Sequence, residues 1–268
     1  MKGIILAGGL GTRLDPLTRA VSKHLLPVFN KPMIYYPMTT LMLGGMREFL
    51  IISTQRDLPL FKRLFRGAET MGLRIAYMVQ RRASGIAQAL LLGASFVGDE
   101  PYALILGDNL FYGPWFEEAQ WRHWAHEGGA TILACEVKDP QRYGVIEVID
   151  GKPVSLEEKP VNPRSNLAVP GLYFYDKHAV AYARELRPSW RGELEITDVN
   201  ARYLQQGTLR VISLGAGNAW FDMGTFDALL QASQFVQTIE QRQGLCLGSI
   251  EETARRFRED GSWSTLSS

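Results

Sequence analysis

Directly after a short apolar run the chain reads Leu6-Ala7-Gly8-Gly9-Leu10-Gly11-Thr12-Arg13-Leu14. Glycines at this density let successive backbone N–H groups turn toward one point and form an anion-binding concavity. Arg13 adds a planar, permanently charged fork suited to phosphate. The spacing matches neither the dinucleotide G-x-G-x-x-G nor the P-loop G-x-x-x-x-G-K-[ST]. A plain turn needs only one or two glycines and leaves Thr12-Arg13 unexplained, so phosphate binding is the reading. Lys23, in Ser22-Lys23-His24, is close enough to fold back as a second cation, although by spacing alone it reads as an ordinary surface lysine. A lone histidine such as His24 is more often structural than a ligand.

Carboxylates come next. Leu106-Gly107-Asp108-Asn109 ends an apolar run, and an acid facing a phosphate cradle is suited to hold Mg²⁺ bridged to phosphate oxygens. One carboxylate rarely suffices, and Trp220-Phe221-Asp222-Met223-Gly224-Thr225 offers a second. Periodicity alone, however, reads Asp222 as the N-terminal acid of a helix. Gln80 carries an amide that can read a pyrimidine edge with one donor and one acceptor, and Gly85 opens the helical pattern that follows. Glu157-Glu158-Lys159-Pro160 is balanced between a sugar- and phosphate-binding pair and a solvated charge run. His123 and His126 lack the cysteines or acids of a zinc set and read as structural. No G-x-S-x-G is present in the sequence, which argues against covalent hydrolase chemistry.

The elements that must carry these residues alternate. Strands are expected over 3–7, 48–54, 73–79 and 102–106, with helices at about 32–44, 58–66 and 86–95. Strand and crossover helix at this spacing imply a doubly wound, mostly parallel sheet. Such sheets bind ligands outside the carboxyl ends of their strands, where the loops after Ala7 and Leu106 lie. The second half is less regular, with strands expected over 130–137, 143–148, 154–157, 171–175 and 209–214 and helices over 195–206 and 225–242. The expected fold is α/β: one mixed sheet with a small antiparallel portion. The tail from Arg256 to Ser268 is polar and expected to fray. Trp115, Trp121 and Trp124 on one helix would form an interface or belong to the core.

Composition sets the limits on partners. The 268 residues carry 29 Lys and Arg against 28 Asp and Glu, so no basic face is expected to bind nucleic acid. With 46% hydrophobic residues and 12 Phe, 10 Tyr and 6 Trp, the chain can build a large core. Cys135 and Cys246 are far apart and imply no disulfide framework. The first apolar run is too short for a signal peptide, and none approaches a membrane span. A cytoplasmic protein with no membrane partner is expected.

Taken in order, these motifs resemble the sugar-1-phosphate nucleotidyltransferases, most closely the thymidylyltransferase branch. To those already quoted are added Lys31-Pro32-Met33-Ile34-Tyr35-Tyr36-Pro37, Asp139-Pro140-Gln141-Arg142-Tyr143-Gly144-Val145, Gly171-Leu172-Tyr173-Phe174-Tyr175-Asp176 and Arg191-Gly192-Glu193-Leu194-Glu195-Ile196-Thr197-Asp198. The match covers about residues 1–245 as a single Rossmann-like domain, leaving 246–268 as a short helix and tail. The resemblance implies that Leu6, Gly8, Gly9, Gly11, Thr12, Arg13 and Lys23 surround the triphosphate, while Gln80 and Gly85 read the base. It assigns Mg²⁺ to Asp108 and Asp222. Ile86, Tyr143, Gly144, Glu158, Val169, Tyr173 and Trp220 would line the sugar pocket, and Lys159 and Arg191 would hold the sugar 1-phosphate. Arg13, Lys23, Asp108, Lys159 and Asp222 form the implied catalytic set.

The implied reaction moves a nucleotidyl group, with dTTP and glucose 1-phosphate as the expected pair, in a dimer or tetramer. The chain departs from the family pattern at Arg81-Arg82-Ala83-Ser84, Ile86, His24 and Pro114-Trp115. It also stops before the C-terminal helical extension of longer members, so feedback inhibition is not carried over. Two alternatives stay open: another triphosphate or sugar phosphate, and a nucleotide-sugar-binding paralogue with weak or no catalysis. A glycosyltransferase is disfavoured because Gly107-Asp108-Asn109 stands where a D-x-D motif would be.

Overall fold

A computed structural model describes residues 1–114 and 127–259. Trp115, Trp121, Trp124, His123, His126 and the tail from Asp260 lie outside the described residues. In the first half the strands are β1 (Lys2–Ala7), β2 (Pro27–Val28), β3 (Lys31–Pro32), β4 (Glu48–Ser53), β5 (Arg74–Val79), β6 (Tyr102–Leu106) and β7 (Asn109–Tyr112). They alternate with helices α1 (Tyr35–Leu43), α2 (Leu58–Leu64) and α3 (Gln88–Val97). β1 pairs in parallel with β4 on one side and β6 on the other, and β4 carries β5 at the edge.

Both faces of β1, β4 and β6 are covered, which is why they read as continuous apolar runs rather than alternating ones. Ile4, Leu50, Ile52 and Leu104 pack against Ala89, Leu90 and Val97 of α3. On the other face Ile5, Phe49, Ile51 and Ile105 meet Met38, Leu41 and Met42 of α1. Close approach of helix to sheet needs small residues at two points. A Cβ on Gly3 would stand 2.7 Å from Leu41, and one on Gly93 of α3 would stand 2.5 Å from Ile4.

The second half adds β8 (Ala130–Glu136), β9 (Gly144–Ile149), β10 (Lys152–Glu158), β11 (Leu167–Ala168), β12 (Leu172–Tyr175), β13 (Leu209–Ser213) and β14 (Ala219–Asp222). Its helices are α4 (His178–Glu185), α5 (Ile196–Gln205), α6 (Phe226–Gln243) and α7 (Ile250–Glu259). The main sheet has the order β10-β9-β11-β8-β12-β6-β1-β4-β5, with β13 also on β8. It is thus mixed and mostly parallel over the first half, with antiparallel pairing beyond β6.

β11 and β12 act as one interrupted strand along β8. Ala168 faces Cys135 and Tyr173 faces Ile132, so five steps on one strand match three on the other. The extra residues fall at Val169-Pro170-Gly171, where proline and glycine suit a break in the ladder. On one side of the break the strand pairs with β9 and on the other with β6. The sheet therefore forks at this point, beside the carboxyl end of β6.

Three expectations are corrected. Residues 32–34 do not begin the first helix, because Lys31-Pro32 pairs with Pro27-Val28 as a small hairpin. Asp222 does not start a helix: it ends β14, and α6 is capped by Thr225, whose hydroxyl accepts the Ala228 N–H at 3.3 Å. The tail does not fray at Arg256, because α7 continues to Glu259 and buries Ile250 and Ala254 in the core cluster that includes Met38, Leu41 and Met42 of α1. The sequence patterns do not disclose strands β2, β3, β7, β11 and β14 or helix α4. Among the described residues no helix is long and apolar enough to cross a membrane.

Candidate active site

The register of β1 on β6 places Leu6 beside Leu106. The glycine-rich loop and Gly107-Asp108 thus leave the sheet from neighbouring parallel strands at the same end. The Gly107 N–H donates to the Leu6 carbonyl at 2.9 Å and fastens the two exits together. Gly9 and Gly11 have φ of 86° and 63°, conformations that a side chain strains. The Thr18 hydroxyl donates to the Gly11 carbonyl at 2.9 Å and holds the loop's far end. Thr12, Arg13 and Leu14 then form a single helical turn.

Gln80 lies directly over the loop. A Cβ on Gly8 would fall 1.8 Å from its Oε1, so Gly8 serves close approach. The Gln80 amide donates to Gln88 Oε1 at 2.8 Å, and the Ser84 N–H donates to that same oxygen at 3.2 Å. Gln88 is therefore the group that orients Gln80, a role that its position in a helical pattern did not disclose. Gly85 has φ of 98°, and a Cβ there would come within 2.3 Å of the Leu194 carbonyl. Only glycine suits that contact.

Asp222 reaches the site through pairing of β14 with β7. Asp222 faces Asn109, and the Met223 N–H donates to the Asp108 carbonyl at 2.9 Å. The two carboxylates lie near enough to sense one another. Burial, reinforced by the charge of Asp108, raises the Asp222 carboxyl above its ordinary value, while Lys23, Arg13 and Arg142 oppose the rise. At Asp108 burial acts upward too, but the charge of Lys23 and hydrogen bonds from Lys23 and Asn109 outweigh it. They hold that carboxyl well below the usual range.

Lys23 Nζ forms an ion pair with Asp108 Oδ2. Arg13 packs against Gly224, whose Cβ would meet its Nη2 at 2.6 Å and Asp222 Oδ1 at 3.1 Å. Two carboxylates close together, one carrying no hydrogen bond or ion pair among the described residues, make a donor set that fits a hard divalent cation. Beneath them His24 is buried, with Nδ1 3.0 Å from Ser22 Oγ. Burial, aided by the charge of Lys23, lowers it to about 3 and keeps it neutral.

A cavity opens from these acids toward the fork in the sheet. Arg13, Asp108 and Asp222 line it together with Ile86, Tyr143, Gly144, Glu158, Lys159, Val169, Tyr173 and Trp220 among others. Tyr143 meets Trp220 edge-on with centroids 5.0 Å apart. The Trp220 indole donates to Asn109 Oδ1 at 2.6 Å, and that oxygen also accepts the Gly171 N–H at 3.0 Å. Asn109 thereby joins β7, β14 and the strand break. Its position next to Asp108 in the sequence gives no sign of that role.

Glu158 accepts a hydrogen bond from Thr197 at 2.5 Å and pairs with Arg191 at 3.3 Å. Arg191 lies outside the cavity lining, and its guanidinium also pairs with Glu193 at 2.9 Å and Glu195 at 3.5 Å. Lys159 occupies a left-handed backbone conformation, with φ of 45°, which turns the chain out of β10 at the cavity wall. A separate cleft lined by Tyr36, Thr39, Tyr112 and Leu247 contains neither of the two acids.

Chemistry placed at the carboxyl ends of parallel strands, with a glycine loop facing an acid, is characteristic of α/β proteins that handle nucleotides. The family model described as nucleotidyl transferase matches residues 2–239, and the chain belongs to that family. It is 52% identical to the glucose-1-phosphate thymidylyltransferase of Mycolicibacterium smegmatis, over 99% of this chain and 93% of the relative. It is 51% identical to the enzyme of the same name from Neisseria meningitidis, over 96% of this chain and 89% of the relative. A Bacillus anthracis crystal structure, described as a glucose-1-phosphate thymidylyltransferase in complex with a sucrose, superposes with a TM-score of 0.84. It shares 38% identity and covers 94% of this chain and 99% of its own. A UDP-glucose pyrophosphorylase complexed with UDP-glucose shares the fold, with a TM-score of 0.77 at 23% identity.

Proposed function

We propose that this enzyme transfers a thymidylyl group from dTTP to glucose 1-phosphate, giving dTDP-glucose and pyrophosphate, with Mg²⁺ held by Asp108 and Asp222. The observation that carries the reading is the meeting of these two acids with Arg13 and Lys23 beside a cavity lined by Glu158, Tyr143 and Tyr173. The names of the relatives point to the same pair of substrates.

A phosphate oxygen of the sugar phosphate attacks the α-phosphorus in line. The bond to the bridging oxygen breaks, and its electrons leave with pyrophosphate. The attacking oxygen is already anionic, so no base is required. The chain's contribution is therefore position and charge. The N–H groups of the glycine-rich loop, with Leu6 and Thr12 beside them, surround the triphosphate, and Arg13 meets the charge that builds on the α-phosphate. Lys23 holds the outer phosphates. Gln80, fixed by Gln88, and Gly85 read the base. Lys159 faces the sugar phosphate, and Arg191 braces Glu158 from outside the cavity. When bound, Mg²⁺ would neutralise phosphate charge that the protein's cations leave uncompensated.

The catalytic domain spans about 1–245, and α7 packs onto its core. We place the enzyme in the cytoplasm as a homo-oligomer. Pyrophosphate release, measured across a panel of triphosphates and sugar 1-phosphates, tests the assignment. Fastest release is expected with dTTP and glucose 1-phosphate. Nucleotide-sugar binding without release from any pair would instead identify a binding paralogue.

A further inference from the structure

Both oxygens of Asp108 are already engaged. Oδ2 carries the Lys23 ammonium, and Oδ1 accepts the Asn109 amide at 3.0 Å. The Lys23 and Asp108 side chains are only 15% and 9% exposed, so this pair is shielded from water. Asp222 has no such partner among the described residues, and the charge of Asp108 bears on it directly. The described residues also contain no group of three or more His, Cys, Asp or Glu that could hold a metal ion.

A hard divalent cation takes about six oxygen ligands, so most must come from water or phosphate. To reach Asp108 Oδ2 it must also displace an ammonium. Doing so without a substitute partner would leave Lys23 charged and largely buried, which is strongly unfavourable. A triphosphate supplies both missing elements at once, oxygen ligands for the metal and a new anionic partner for Lys23. Arg13 has no hydrogen bond or ion pair among the described residues and lines the cavity. It can engage the incoming phosphates before Lys23 is released.

We propose that Lys23 is the resident counter-ion of the metal site, so that the divalent ion binds only with a triphosphate that draws the ammonium off Asp108. Lys23 is then a gate as well as a phosphate ligand, and the enzyme resists loading by free metal. The proposal rests on reading Asp108 and Asp222 as the metal ligands.

Free Mn²⁺, followed by electron paramagnetic resonance during titration of the nucleotide-free protein, tests it. Lys23→Met is expected to bind Mn²⁺ at least tenfold more tightly than the parent. Adding α,β-methylene-dTTP, which cannot react, should reverse the order, because only the parent can offer the lysine to phosphate. Lys23→Gln replaces Lys23→Met if the latter does not fold. Equal or weaker binding by the lysine variant would overturn the gate. If Mn²⁺ binding by Lys23→Met survives Asp108→Asn in the double variant, the metal site itself is misassigned. These two failures are distinguishable.

Discussion

Asp108 and Asp222 show how two identical side chains are driven in opposite directions by what surrounds them. Asp108 is held ionised by Lys23 and Asn109, whereas Asp222 is buried near a like charge. Removing the first charge should end catalysis without dismantling the sheet. Asp108→Asn is expected to lower pyrophosphate release by on the order of 10³-fold while the circular dichroism spectrum is retained. A near-normal rate would remove Asp108 from the proposed metal site. Gly85 is the other residue on which a single atom matters. Gly85→Ala adds a Cβ against the Leu194 backbone at positive φ. It should cost about 1–3 kcal/mol of stability and raise KM for the triphosphate more than it changes kcat. A thermal melt and a KM–kcat comparison would show both effects.

At the scale of elements, the site depends on a two-stranded ribbon, β7 with β14, that brings Asp222 to Asp108 across more than a hundred residues. Helix α6 begins immediately after, and its cap is Thr225 rather than the acid. Thr225→Ala should therefore cost about 1 kcal/mol and lower Tm by roughly 2–4 °C, with little change in KM. A catalytic loss without a shift in Tm would indicate that the cap acts on Asp222 itself. The break between β11 and β12 is the second such element. It lets the sheet change partners and opens the cavity where Val169, Gly171 and Tyr173 meet. Its proline and glycine are visible in the chain, but a bulge is defined only against its partner strand.

Across the whole molecule the near-neutral charge conceals a concentration of opposite charges at one end of the sheet. It also conceals a histidine kept neutral beneath them. His24 has an ordinary value of 6.5 and is lowered to about 3 in the fold. Above 6.5 it is neutral both folded and unfolded and contributes nothing. Below 6.5 the unfolded chain takes up a proton that the folded one refuses, so stability falls until about pH 3. The loss can reach on the order of a few kcal/mol. Urea unfolding between pH 7 and 4 should show a steeper decline for the parent than for His24→Gln. Equal slopes would mean that other groups dominate acid unfolding.

Local structure was legible in the chain. The glycine loop with Arg13, the apolar strands of the parallel half and the acid after Leu106 all follow from steric freedom, periodicity and charge within a few residues. Strand β6 at Tyr102–Leu106 is local in the same sense, whereas the helical turn at Thr12 to Leu14 appears only in the fold. Tertiary structure decided what depends on distant partners. Spacing alone read Lys23 as a surface residue and Asp222 as a helix acid, and neither could be otherwise without strand pairing. Gln88, Asn109 and Thr197 remained unassigned because each orients a residue brought to it by the fold. Residue type sets which bonds a side chain can make, and only the folded chain determines which partner is within about 3 Å.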